Sequence, residues 1–356
     1  MNRLNTDVAA LAREFSRGEI ADAVKEDDRY PDAPFRESLY RRAAEVGFLS
    51  LLLPEEAGGV GETTAALAEA LAVIAKTDAS VSAVILCQAF AHRVLAGAGK
   101  EDLAGDDGLV AATLYEDPLD PPAGVTASGK ADPYILHGAL EYAVLAPVAS
   151  SYLLPARLDV EDALFLVKKG KGVIAGEPLL TLGLRACPVA DLELEGANGM
   201  LVAAGDTARS VYREAVEDMR GAVAAIHAGI IAGSLEEATA YARERYQGWK
   251  QIIDHGQIRA YLGRMAAAAA VAEELYRSAG GDGSPREGEL LPAAVQLMVG
   301  EMAVESTMNG VQVLGGNGYM DDYGQAKRMR DAKQAQGIFG PRDLIIQDIF
   351  QVMAAR

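Results

Sequence analysis

The sequence predicts a mainly α fold with a central β-domain. An N-terminal helical domain precedes a middle β-barrel or sandwich, and a C-terminal antiparallel four-helix bundle ends the chain. Three observations predict this. Apolar residues recur at helical spacing through the first third of the chain and again after residue 204. Between these regions, short apolar and β-branched runs are separated by Pro, Gly and Asp, the texture of strands. The late helical stretches are joined by short breaks, which favours antiparallel neighbours. The divisions fall at 1–107, 108–203 and 204–356, and a chain of 356 residues is too long for one ordinary core.

In the first region, Phe35 to Val46 alternates apolar and charged residues with helical period. A second helix, Thr63 to Ala75, follows a Gly-rich turn, with Thr63 or Thr64 as its N-cap. A third, strongly apolar, runs from about Ser80 to Leu95. Strand-like runs then follow at Leu109 to Tyr115, Tyr142 to Leu145, Ser151 to Leu154, Ala163 to Val167 and Val189 to Leu194. In Asp191–Glu195 polar and apolar residues alternate with period two, as in a strand with one wet face. Beyond Ala204, Val223, Ile226, Ile230 and Leu235 share one stripe of a helix ending near Arg245. Gly256 to Ala279 forms another, closed by a Gly-Gly-Asp-Gly-Ser-Pro loop. A further helix through Val295, Met298, Val299 and Met302 ends at Gly315–Gly316, and two shorter ones cover Tyr323 to Gln336 and Asp343 to Ala355.

The formal charge of −18 argues against nucleic-acid binding or docking on anionic membranes, both of which need basic patches. Cys87 and Cys187 lie far apart in apolar surroundings, which suits reduced thiols rather than a disulfide framework. The N-terminus lacks the arrangement of a secretory signal, and the apolar run Gly221 to Gly233 is too short to span a bilayer, so a cytoplasmic protein is expected. His92, His137, His227 and His255 show no metal-ligand spacing, so no metal is expected. Lys168 to Gly172 reads as a solvated hairpin tip, although a basic turn could also meet a phosphate.

Several motifs in order carry a resemblance. Val311–Tyr319 (VQVLGGNGY) is similar to a Q-x-x-G-G-x-G-Y turn, and Arg330–Lys333 is an R-D-A-K helix segment. Glu244–Arg245, ahead of Lys250 and His255, falls where an E-R-x-x-F-G segment would lie. Upstream, Val46–Phe48 with Pro54–Gly59 is similar to a G-hydrophobic-P-E-x-x-G-G signature, and Leu182–Ala186 resembles the opening of a later β-domain strand. Together these resemble the acyl-CoA dehydrogenases over most of the chain. The resemblance implies FAD as cofactor, with Arg245 as the fork on its pyrophosphate. Gln312, Gly315 and Gly316 would contact the same adenosine diphosphate part across a subunit interface. Tyr115 and Tyr142 would lie on the flavin side of the β-domain.

Each residue also has a plainer reading. A Gly-rich turn alone more often just ends a helix, and Arg245 could pair with Glu244 or Glu217 on a solvated helix end. Tyr142 could be a core tyrosine. The segment after Arg245 reads Gly248–Trp249 in place of Phe-Gly.

Neither of the family's two base positions holds an acid. The one after R-D-A-K is Phe339, followed by Gly340–Pro341; the one before the arginine of the first bundle helix is Met219. Glu217 and Asp218 are expected to be solvated surface carboxylates facing elsewhere. The catalytic base is therefore unknown, with Glu116 and Asp343 as the remaining acids to consider and N-capping as the plainer role of Asp343.

The resemblance thus implies a flavin-dependent oxidoreductase that desaturates an acyl-CoA or related thioester with a relocated base. Two alternatives stand beside it: a base-less partner subunit of a mixed assembly, or a flavoprotein acting on another substrate. A homo-oligomer, dimer or tetramer, or a hetero-oligomer with a related subunit is implied, as is an electron-accepting flavoprotein.

Overall fold

The computed structural model describes residues 3–31, 33–104, 108–115, 124–279 and 292–354. Five helices open the chain: α1 (Arg3–Phe15), the single turn α2 (Val24–Asp27), α3 (Glu37–Glu45), α4 (Thr64–Thr77) and α5 (Ala79–Gly97). Thr63 caps α4 as expected, its Oγ1 accepting from the Ala66 N–H at 3.2 Å. Asp78 caps α5 in the same way from the Ser80 N–H at 2.8 Å, a cap the apolar pattern did not announce. Leu67, Leu71 and Ile74 recur on one face of α4 and are fully buried. Helix α5 is apolar all round because it is the central core element; by length and composition it could cross a bilayer, but most of it is enclosed by protein.

Seven strands follow among the described residues: β1 (Val110–Thr113), β2 (Val125–Ser128), β3 (Tyr134–Val144), β4 (Ser151–Leu158), β5 (Glu161–Lys168), β6 (Val173–Ala175) and β7 (Val189–Ala204). Their order is β1-β3-β2-β4-β5-β7-β6, and additional β1–β4 and β3–β7 pairings close the sheet towards a barrel. The alternation read from the sequence is realised on β7: Leu192 and Leu194 face the core while Asp191, Glu193 and Glu195 face solvent. Lys169 to Lys171 form an exposed turn between β5 and β6, solvated as expected, but it is not a hairpin tip, because β5 and β6 each pair with β7 and not with one another.

The chain is helical again through α6 (Gly205–Glu244), α7 (Gly256–Ala279), α8 (Pro292–Leu314), α9 (Gln325–Ala335) and α10 (Arg342–Ala354). A small hairpin, β8 (Tyr246–Gln247) with β9 (Lys250–Gln251), separates α6 from α7. Helices α6, α7 and α8 pack against one another, α10 lies along α8, and α4 lies along α6.

Helix α9 ties the three regions together. Lys327 Nζ is buried between the carboxylates of Asp78 at 2.8 Å and Asp331 at 2.6 Å. Asp331 also accepts the Leu184 N–H at 2.7 Å, so one triad joins the N-terminal helices, the β-domain and the bundle. Arg330 pairs with Asp28 and donates to the Leu182 carbonyl at 3.2 Å. A Cβ at Gly183 would lie 2.4 Å from the Arg330 carbonyl, so only glycine allows this β-domain loop to close on α9.

Two sequence expectations are corrected. Asp343 does not cap α10, because the helix begins one residue earlier. The Pro341 carbonyl accepts from the Leu344 N–H at 3.0 Å, which leaves Asp343 exposed in the first turn. Asp218 is not solvated: its carboxylate is 85 % covered and binds Arg93 at 2.5 Å.

Candidate functional site

The six residues expected to hold the cofactor fall into two groups. Arg245, Gln312, Gly315 and Gly316 gather where α6 and α8 end. A small core beneath them, separate from the main one, contains Ala238, Ala242, Val313 and Leu314. Asn317 Nδ2 donates to the hydroxyls of Tyr241 at 3.1 Å and Tyr323 at 3.4 Å, fixing the Gly-rich turn to α6. Arg245, Gln312, Gly315 and Gly316 are exposed, and added Cβ atoms at Gly315 and Gly316 would meet nothing within 4 Å. Gly315 has φ +59°, the left-handed backbone expected just past a helix end. The plainer reading of Arg245 is not realised: Glu217 is bound to Arg220 at 2.7 Å, and Arg245 has no ion-pair partner among the described residues. An exposed, unpaired guanidinium beside an open Gly-rich turn fits a pyrophosphate group.

The β-domain group is different. Tyr142 sits at an irregularity in the pairing of β3 with β7, at φ +56°, its N–H donating to the Asp191 carboxylate at 3.1 Å, and it is 44 % exposed. It is therefore no core tyrosine, and its ring is available to stack on a planar ligand. Tyr115 instead turns inward, where burial pushes its hydroxyl pKa up and Gln334 hydrogen-bonds it. Glu116 lies outside the described residues.

Both base positions are under apolar cover, Phe339 in the loop between α9 and α10 and Met219 within α6. Phe339 is buried at φ +62°, its N–H donating to the Leu114 carbonyl at 2.5 Å. Its ring lies 5.2 Å from that of Phe90, which in turn meets Tyr212 edge-on at 5.4 Å. Met219 is fully buried within α6. The next residue, Arg220, is also buried and reaches Glu217, Gln296 at 3.1 Å and Asp348 at 2.7 Å. Gln296 passes the restraint on by donating to the Ile338 carbonyl at 2.7 Å, so the backbone before Phe339 is fixed by a buried polar relay. The relay was not legible from the sequence, because its members are distant along the chain. Asp343 is exposed on α10 and takes no part in it.

Other reactive groups are placed structurally. Both thiols are buried and free, and burial pushes Cys87 up to about 12, the opposite of a nucleophile's environment. His227 is buried between the Val223 and Ala332 carbonyls, and burial pulls His92 down to about 4. Among the described residues no three His, Cys, Asp or Glu side chains gather as a metal site would require.

Comparison with known proteins agrees with this architecture. The family described as "Acyl-CoA dehydrogenase, N-terminal domain" matches residues 5–104, and "Acyl-CoA dehydrogenase, C-terminal domain" matches residues 209–354. The chain is similar to cyclohex-1-ene-1-carbonyl-CoA dehydrogenase of Syntrophus aciditrophicus, at 28 % identity covering 94 % of this chain and 87 % of that protein. It is also similar to a 3-(aryl)acrylate reductase of Clostridium sporogenes, at 25 % identity over 92 % of each. Butyryl-CoA dehydrogenase from Megasphaera elsdenii has the same fold, with a TM-score of 0.89, 21 % identity and 99 % of both chains covered. The chain belongs to the acyl-CoA dehydrogenase family, whose members are FAD-dependent flavoenzymes.

Proposed function

We propose that this chain is the base-less subunit of a flavin-dependent, acyl-CoA dehydrogenase-type assembly. The observation that carries this reading is the burial of Phe339 and Met219 in the main apolar core at the two base positions, while the far end of α6 carries the exposed and unpaired Arg245. Desaturation of a thioester needs a group that takes the α-proton, and neither a phenyl ring nor a thioether can do so. Arg245 would clamp the pyrophosphate through its fork, Gln312 would meet the adenosine side, and the backbone at Gly315 and Gly316 would approach closely. FAD, when bound, accepts the hydride leaving the substrate's β-carbon. The α-proton would pass to a glutamate of a related sister subunit. Tyr142 of this chain would cover a ring face without taking part in proton transfer.

Three features support an assembly in which this chain contributes the diphosphate-binding half of a cofactor site. Arg245 and Tyr142 belong to separate parts of the chain, Trp249 is 92 % exposed on the adjoining hairpin, and Phe350 and Met353 of α10 are exposed. The test is Arg245→Ala in a co-expressed mixed assembly with a glutamate-bearing family member. Flavin content should fall by half or more, and unchanged flavin content would refute the assigned role.

A second reading is a self-sufficient dehydrogenase of an acyl-CoA or related thioester, with its base moved to Glu116. The names of its relatives favour thioester chemistry. That reading requires the chain alone to turn over, acting with an electron-accepting flavoprotein as a homo-oligomer in the cytoplasm.

A further inference from the structure

A groove of about 1420 Å³ runs between the α1–α2 arm and α9. It shares no residue with the cofactor set Arg245, Gln312, Gly315, Gly316, Tyr115 and Tyr142. Nine Lys and Arg side chains line it against five Asp and Glu, a reversal of sign in a chain of net charge −18. The acids are largely engaged by cations of the same wall: Glu236 pairs with Lys76, Glu237 with Arg328 at 2.7 Å, and Asp28 with Arg330. Arg13 and Arg17 are exposed and have no acidic partner among the described residues.

These two arginines lie four residues apart, so they emerge on the same side of the arm with Cβ atoms about 6 Å apart. That spacing lets two planar forks converge on adjacent phosphate groups. Arg17 is carried by a π-helical turn, Ser16–Ile20, that follows α1 directly; such turns recur at functional sites. Further along the groove, Tyr30 is exposed with the Arg185 guanidinium 4.9 Å from its ring centroid. The cation backs one face and leaves the other for an aromatic ring.

The geometry points to a second ligand site in this groove, one that binds a nucleoside diphosphate through Arg13 and Arg17 with its base against Tyr30. It stands independently of the flavin reading, since Arg13, Arg17, Tyr30 and Arg185 are all outside the cofactor set.

The experiment is isothermal titration of the full chain with ADP and with inorganic pyrophosphate, in an Arg245→Ala background so that the flavin site adds no heat. Both probes should bind, and Arg13→Ala/Arg17→Ala should weaken both at least tenfold while leaving the thermal midpoint unchanged, because both side chains are on the surface. Tyr30→Ala should weaken ADP alone. Absence of heat with either probe at millimolar concentration, or unchanged affinity in the double variant, would overturn the site. Equal weakening of both probes by Tyr30→Ala would overturn the ring contact.

Discussion

His92 is buried on α5 and its Nδ1 has no hydrogen-bond partner, so the folded protein holds it neutral and burial lowers its pKa from 6.5 to about 4. Between those two values the unfolded chain binds a proton that the folded chain does not. Stability contributed by this group is therefore complete above pH 6.5 and is lost as pH falls towards 4, by roughly 1.4 kcal/mol per pH unit at most. Burial lowers His227 to about 4 as well, so chemical denaturation at pH 7 and pH 5 should show the two slopes together, and His92→Leu should remove about half; an unaltered slope would contradict the assignment. Phe339 supplies a second test at this scale. Phe339→Glu removes a buried ring and puts a carboxyl beside Phe90, so unfolding free energy should fall by about 3 kcal/mol or more. A variant as stable as the parent would show that the loop is open to water. The identities at both base positions were legible by counting from Arg330–Lys333 and Arg245. Their surroundings were not, because Phe90, Leu114, Tyr212 and Phe339 are brought together only by tertiary packing. Asp343 was misplaced for a local reason: Pro341 takes the N-cap position and starts the helix one residue sooner.

Among the elements, α9 carries the clearest mechanical role. Replacing Lys327 with Met leaves Asp78 and Asp331 facing each other without their cation in a buried site, at a cost of about 3–5 kcal/mol. Equilibrium unfolding in urea measures this directly, and a loss under 1 kcal/mol would deny the triad its role as a clamp. The β8–β9 hairpin behaves oppositely. Gly248 and Trp249 form its tip with φ +61° and +70°, a conformation that strains any residue other than glycine. Trp249→Gly should stabilise the isolated chain by about 1 kcal/mol. The same change should weaken a mixed assembly if the exposed indole meets a neighbour. Long elements were the legible ones, since α4, α5, α6 and α8 each repeat their apolar pattern over several turns. Strands β2 and β6, of four and three residues, are too short to show a period. The β8–β9 hairpin was missed because a Gly-Trp tip is not a usual turn pair.

At the scale of the whole molecule, the α–β–α order and the family were readable because Gly-rich turns and charged motifs recur in sequence order. The division of the cofactor residues into two groups depended on the fold. Arg245, Gln312, Gly315 and Gly316 share one end of the bundle, whereas Tyr142 lies within a strand of the β-domain. On the reading proposed above, a site divided this way, with a phenyl ring and a thioether at the two base positions, would make the chain a contributor to a cofactor site that takes no proton itself. The most direct test is the visible spectrum of the chain purified alone and supplied with FAD, before and after a panel of acyl-CoA thioesters is added without oxygen. The account predicts that no thioester bleaches the flavin until a glutamate-bearing family member is added. Bleaching by any thioester with this chain alone would contradict it and place the base on a residue such as Glu116.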